Sequence, residues 1–160
     1  MFYINLMHVF EKNIKELGIT LLEPPVAIAN YVPFKITDKF LYVSGQGPIK
    51  DGSMKYTGKV GKDISIEDGI KAAELCCINI IAALKKGIEG DWDRFDSFVK
   101  LGGFVNCDND FTDHPKIING ASDLLVQIFG DQGKHTRFAV GSNSLPMNIA
   151  VEIDAIIKFK

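Results

Sequence analysis

The chain has 160 residues, 46% of them hydrophobic and 24% charged, with a formal net charge of −2 and a pI near 5.9. That length suits one domain with a real apolar core, and we read residues 1–160 as a single domain with an N-terminal helical extension over residues 1–20. An acidic balance with no basic stripe argues against a nucleic-acid partner, since that affinity rests on clustered Lys and Arg. No run reaches the ~20 apolar residues of a membrane span, and the opening MFYINLMHVF lacks the basic region and cleavage site of a signal peptide. Cys76, Cys77 and Cys107 suggest no disulfide framework, so the expected compartment is the cytoplasm. His8, His114 and His135 are scattered, and no metal site is expected.

Leu6, Val9, Phe10, Ile14 and Leu17 recur at helical spacing and Gly18 follows, which predicts an amphipathic helix over residues 5–17. Pro24 and Pro25 then forbid helix. Ala27–Thr37 and Phe40–Gln46 read as strands joined tightly at Asp38–Lys39. The second strand ends in SGQGP, Ser44 to Pro48, where glycines let the backbone approach another group closely. No Gly-Lys-Ser/Thr follows, so this is not a phosphate loop, and Lys50–Gly61 reads as a loop or short extra strand.

Ser65, with acidic Asp68 three residues on, resembles a capping box for a long helix over residues 66–86. Phe95–Asn106 is a predicted strand in which Gly102–Gly103 marks a bulge or a close backbone approach. Pro115 suits the first turn of another helix, whose stripe runs through Ile117, Ile118, Ala121, Leu124, Leu125 and Ile128 to a stop at Gly130.

His135–Ile157 holds two alternating runs joined by Gly141, Ser142, Asn143, Ser144 and Pro146. This composition predicts a hairpin centred between Ser144 and Leu145, with Arg137 opposite Glu152 at a Cβ separation of roughly 4.5–5.5 Å. The period of two puts Phe138 and Val140 toward the core with Ile149, Val151, Ile153, Ala155 and Ile157, and turns Arg137, Ala139, Glu152 and Asp154 the other way. By spacing alone such a pair reads first as a surface ion pair of small energetic weight. The element order predicts an α+β fold, a mostly antiparallel sheet with two helices on one face and the N-terminal helix in addition. The opposite face, with Tyr42 and Lys100 beside Arg137 and Glu152 among apolar residues, is too apolar for water and implies an oligomer.

Five motifs together resemble the RidA/YjgF family: Y-x-P-F at Tyr31, Y-V-S-G-Q-G-P-I at Tyr42–Ile49, N-D-F at Asn109–Phe111, Asn119, and R-x-x-V…L-P…V-E-I-D-A from Arg137 to Ala155. The likeness spans roughly Pro24–Phe159. The extra N-terminal helix and the insertion around Asp110–Ile118 resemble the family's longer branch. Its members are reactive intermediate deaminases, also called endoribonuclease L-PSP or translation inhibitors. The resemblance implies a chorismate-mutase-like fold, assembled as a homotrimer with clefts between subunits. It further implies that Arg137 grips a substrate carboxylate, that Glu152 positions water, and that Tyr31, Ser44 and Asn119 line the pocket. The family often has a cysteine two residues after the arginine; here that position is Ala139, which bears on pocket shape. The implied reaction is cofactor-free hydrolysis of 2-imino acids, such as 2-iminopropanoate or 2-iminobutanoate, to 2-oxo acids and ammonia. Two alternatives stand beside it: a non-catalytic binder of small 2-oxo or carboxylic acids, and an endoribonuclease or translation inhibitor, against which the acidic pI weighs.

Overall fold

The structure is a computed structural model and describes residues 7–23 and 30–160. Helix α1 is Val9–Glu16. It starts later than its hydrophobic spacing suggests because the His8 imidazole caps it, Nδ1 accepting from the Phe10 N–H at 3.2 Å; residues 5 and 6 of the predicted helix lie outside the described residues. Strand β1 is Phe34–Thr37 and β2 is Phe40–Gln46. The predicted start of the first strand, 27–29, also lies outside the described residues, and Pro33, with no N–H to donate, precedes the observed start. A small hairpin of β3, Ile49–Lys50, and β4, Ser53–Met54, occupies the stretch read as loop or extra strand.

Helix α2 is Ile66–Gly87, opened by the expected cap: Ser65 Oγ accepts from the Asp68 N–H at 3.0 Å. Strand β5 is Phe95–Asn106 and helix α3 is His114–Phe129. Strands β6, Thr136–Ser142, and β7, Val151–Phe159, complete the chain. Among the described residues the main sheet has the order β1-β2-β7-β5-β6.

That order corrects the predicted hairpin. β6 and β7 are not neighbours, because β5 lies between them, antiparallel to β7 and parallel to β6. Strand–helix–strand connectivity explains the parallel pairing: α3 carries the chain back along the sheet, so β6 runs in the same direction as β5. The Gly-, Ser- and Asn-rich connection then steps across β5 instead of turning back on itself.

Facing is corrected as well. A Cβ on Gly103 would stand 2.7 Å from Ile118 of α3, so Gly103 faces the helices and its neighbour Phe104 faces away. Phe104 packs edge-on against Phe138, centroids 5.3 Å apart, and pairs across the strands with Glu152. Phe138 and Glu152 therefore share the outer face, and Arg137, next to Phe138, faces the helices. The assumption that apolar side chains mark the core face failed on this edge strand.

The two long helices cover one face, as predicted, over a core that includes Leu41, Ile80, Leu84, Leu101, Ile118 and Ile153. Helix α1 docks at the far end of α3, with Phe10 among Trp92, Phe95 and Phe129 and Asn13 donating to the Ile128 carbonyl at 2.7 Å. The outer face keeps Tyr42, Phe104 and Val140 between 39% and 45% exposed, an apolar surface left open among the described residues.

Candidate functional site

Arg137 leaves β6 on its helix-facing side and lies against the first half of α3. One Nη donates to Ser122 Oγ at 2.9 Å; the other donates to Asn119 Oδ1 at 2.7 Å and, more weakly, to the Pro115 carbonyl at 3.4 Å. Asn119 and Ser122 meet it together because residues three apart share a helix face. Of the five guanidinium N–H donors, three are engaged among the described residues. The two that remain, with the long Pro115 contact that is easily given up, can take a carboxylate. Ser122 in turn sits 3.0 Å from His135 Nε2, and His135 Nδ1 lies 2.7 Å from the Gly133 carbonyl.

Glu152 stands on the other side of the sheet. Its carboxyl lies flat over Gly45 of β2, where any Cβ would collide with it. The β2–β7 register shifts between Val43 and Gln46, and this bulge brings Gly45 beneath the carboxyl. Two residues along, Asp154 lies in the same way over Gly102 of β5. This is the close approach expected of the Gly102–Gly103 pair; the shifts in β5 register fall earlier, near Ser97 and Lys100. Burial, and secondarily the Asp154 charge, hold the Glu152 carboxyl above the usual carboxylate range.

Ser44 neighbours Gly45, but its hydroxyl donates to the Val32 carbonyl at 2.7 Å, tying β2 to the segment before β1. Tyr31, at the start of that segment, is 57% exposed and so free to meet a partner or ligand. The predicted site residues are thus not all brought together in one chain. Arg137 and Asn119 stand at the β6 edge on the helix side, Glu152 stands on the other face over Gly45, the neighbour of Ser44, and Tyr31 precedes β1. The expected cross-strand contact between Arg137 and Glu152 does not form.

Ser122 and His135 were not singled out from the sequence. Two signals were available: Ser122 is three residues beyond Asn119 on a helix, and His135 is two before Arg137 on a strand, so each shares a face with a predicted site residue. Among the described residues no group of three or more His, Cys, Asp or Glu side chains gathers to hold a metal, and no helix is long and apolar enough to cross a membrane.

The chain is similar to known proteins in sequence and in fold. Residues 11–156 match the family described as "YjgF/chorismate mutase-like, putative endoribonuclease". Protein TCP17 of Trypanosoma cruzi is 37% identical over 147 residues, 91% of each chain. The crystal structure of protein Atu1372 from Agrobacterium tumefaciens superposes with a TM-score of 0.88 at 45% identity, covering 95% of this chain and 94% of its own. One from Shewanella oneidensis that carries the endoribonuclease name gives 0.90 at 32% identity, covering 94% and 99%.

Proposed function

The chain belongs to the YjgF/chorismate-mutase-like family, and on that footing we propose that it hydrolyses small 2-imino acids to 2-oxo acids and ammonia, in clefts completed between copies of a homotrimer. The observation that carries this reading is the state of Arg137. Its guanidinium is aimed by Asn119 and Ser122 yet keeps donors for a carboxylate. A fork of N–H groups sets both the position and the plane of a carboxylate, and with it the plane of the adjacent imine.

Glu152 supplies the second part. A carboxylate with a raised pKa is a better base at neutral pH than an ordinary one, and general-base assistance of this kind contributes about 10²–10⁴-fold. It takes a proton from water as the oxygen bonds to the imine carbon and the C=N electron pair moves to nitrogen. That proton passes to the nitrogen, the adduct's hydroxyl proton follows by way of the same carboxylate, and the C–N bond breaks to release ammonia and the 2-oxo acid. Within one chain Glu152 and Arg137 lie on opposite faces of the sheet, two strands apart. One cleft therefore needs Arg137 from one copy and Glu152, with Ser44 beside Gly45, from another, and Tyr31 as a further lining residue. The uncovered apolar outer face supports such an assembly.

A non-catalytic carboxylate binder would use the same Arg137 and have no need of Glu152. The test is ammonia release from freshly generated 2-iminopropanoate. Arg137→Ala is expected to remove the enzymatic rate, and Arg137→Lys to lower kcat/KM about 10- to 100-fold by replacing a fork with a point charge. Unchanged release by a folded Arg137→Ala variant sinks the assignment, and unchanged release by Glu152→Gln removes the role given to that carboxylate.

A further inference from the structure

The Arg137 side chain is the head of a longer chain of hydrogen bonds whose polarity can be worked out atom by atom. The Gly133 carbonyl, 2.7 Å from His135 Nδ1, is an acceptor only, so the proton of the neutral imidazole sits on Nδ1. Nε2 is then an acceptor, and the Ser122 hydroxyl, 3.0 Å away, donates to it. The hydroxyl proton being spent, the lone pairs of Ser122 Oγ face Arg137 and accept its N–H at 2.9 Å. Every member of this relay has one available role. The terminal acceptor is held in turn, because a Cβ at Gly133 would run into the α3 backbone, 2.6 Å from the Leu125 carbonyl carbon.

Ser122 beside a histidine also has the look of an activated nucleophile. It sits inside helix α3, however, where backbone N–H groups are committed to the helix and none is left to hold a developing oxyanion. Orientation of the arginine is what the geometry can deliver. We propose that Ser122 and His135 are positioning residues that lock the Arg137 guanidinium in the plane required to take a carboxylate ligand. This deepens the imine-hydrolase reading and rests on it for the substrate, though the grip itself can be measured without turnover.

A pH signature follows from the same polarity. A protonated His135 would direct an N–H at Ser122 Oγ, which already accepts from Arg137, and the hydroxyl proton would lose its acceptor. Burial first, and the Arg137 charge as well, lower the affinity of His135 for that proton. The other charged groups on the elements packed around it are Lys116 and Asp123 on α3, Asp96 and Lys100 on the neighbouring β5, and Asp131 on the turn before it, which is paired with Lys134 at 2.7 Å. Carboxylate affinity should therefore fall as the pH drops below the ordinary histidine value of about 6.5.

The experiment is calorimetric titration of the full chain with 2-oxobutanoate, beside KM and kcat for 2-iminobutanoate and a melting curve for each variant. Ser122→Ala should weaken 2-oxobutanoate binding about tenfold or more, the usual result of removing one partner of a charged hydrogen bond. It should raise KM with little change in kcat, and Ser122→Thr, which restores a hydroxyl, should recover most of the loss. His135→Gln keeps an acceptor for that hydroxyl and cannot titrate, so it should bind near wild-type strength and lose the acid dependence below about pH 6.5. Wild-type affinity in a folded Ser122→Ala overturns the proposal, as does an acid dependence unchanged in His135→Gln. Wild-type binding without imine hydrolysis, together with the loss in Ser122→Ala, supports the relay and sinks the hydrolase reading. A wild-type protein that binds no 2-oxobutanoate overturns the relay whatever its turnover.

Discussion

Glu152, the base in the proposed reaction, carries a charge that costs the fold stability. Its carboxyl is held over Gly45, near Asp154, and its pKa is raised by burial and by that neighbour. The folded chain thus binds this proton more tightly than the unfolded chain. The sign follows: the charge destabilises the fold as pH rises from the ordinary carboxyl value of about 4.3 through the raised one, and the full penalty is present at neutral pH. Glu152→Gln is expected to raise the melting temperature at pH 7 while abolishing imine hydrolysis, and the thermal gain should shrink as pH approaches about 4. A melting temperature at pH 7 no higher than wild type would contradict this account of the carboxyl. At this scale the sequence offers candidates through the likeness of motifs to the family's, which single out Arg137, Glu152, Ser44, Tyr31 and Asn119, whereas Ser122 and His135 belong to no such motif and emerge only from the contacts that link them to Arg137.

At the scale of elements, the crossing of α2 and α3 depends on Gly120. A Cβ there would press into the Ile70 carbonyl and stand 3.0 Å from its Cγ2. Gly120→Ala should cost about 1–3 kcal/mol in urea unfolding, because backbone cannot yield as a flexible side chain does. A change within about 0.5 kcal/mol would show that the helices can slide apart freely. Helix and strand positions were largely readable, since caps such as Ser65 and stripes such as Ile117–Ile128 are local signals. The pairing of β6 was not. Turn-forming residues between Gly141 and Pro146 are compatible with a hairpin and with a crossover alike, and only the intervening β5 distinguishes them. The amphipathic rule misled at the same place: on edge strand β6 the apolar Phe138 and Val140 point away from the helices, while charged Arg137 is taken up by polar atoms of α3.

For the whole molecule, the proposed trimer, with Arg137 and Glu152 on opposite faces of one sheet, predicts function by complementation. Arg137→Ala and Glu152→Gln should each be inactive alone. Mixed trimers formed by refolding them together should regain activity, since in a cyclic trimer about one cleft in three then combines an intact arginine with an intact glutamate. No recovery in verified mixed trimers would place both residues' work within single chains. The apolar outer face is the surface through which such copies would meet, and a charge placed there, as in Phe104→Lys, should shift the sedimentation profile toward monomer.

The sequence by itself determined the α+β class, the long helices and the placing of two helices on one face. These are consequences of local periodicity, capping and residue type, which do not depend on what lies far away in the chain. Tertiary structure alone decided that β5 separates β6 from β7, that Arg137 and Glu152 look in opposite directions, and that Ser122 and His135 stand behind the arginine. Each of these depends on strand order and on which side of the sheet a side chain emerges. A single inserted strand changes both without altering any local pattern.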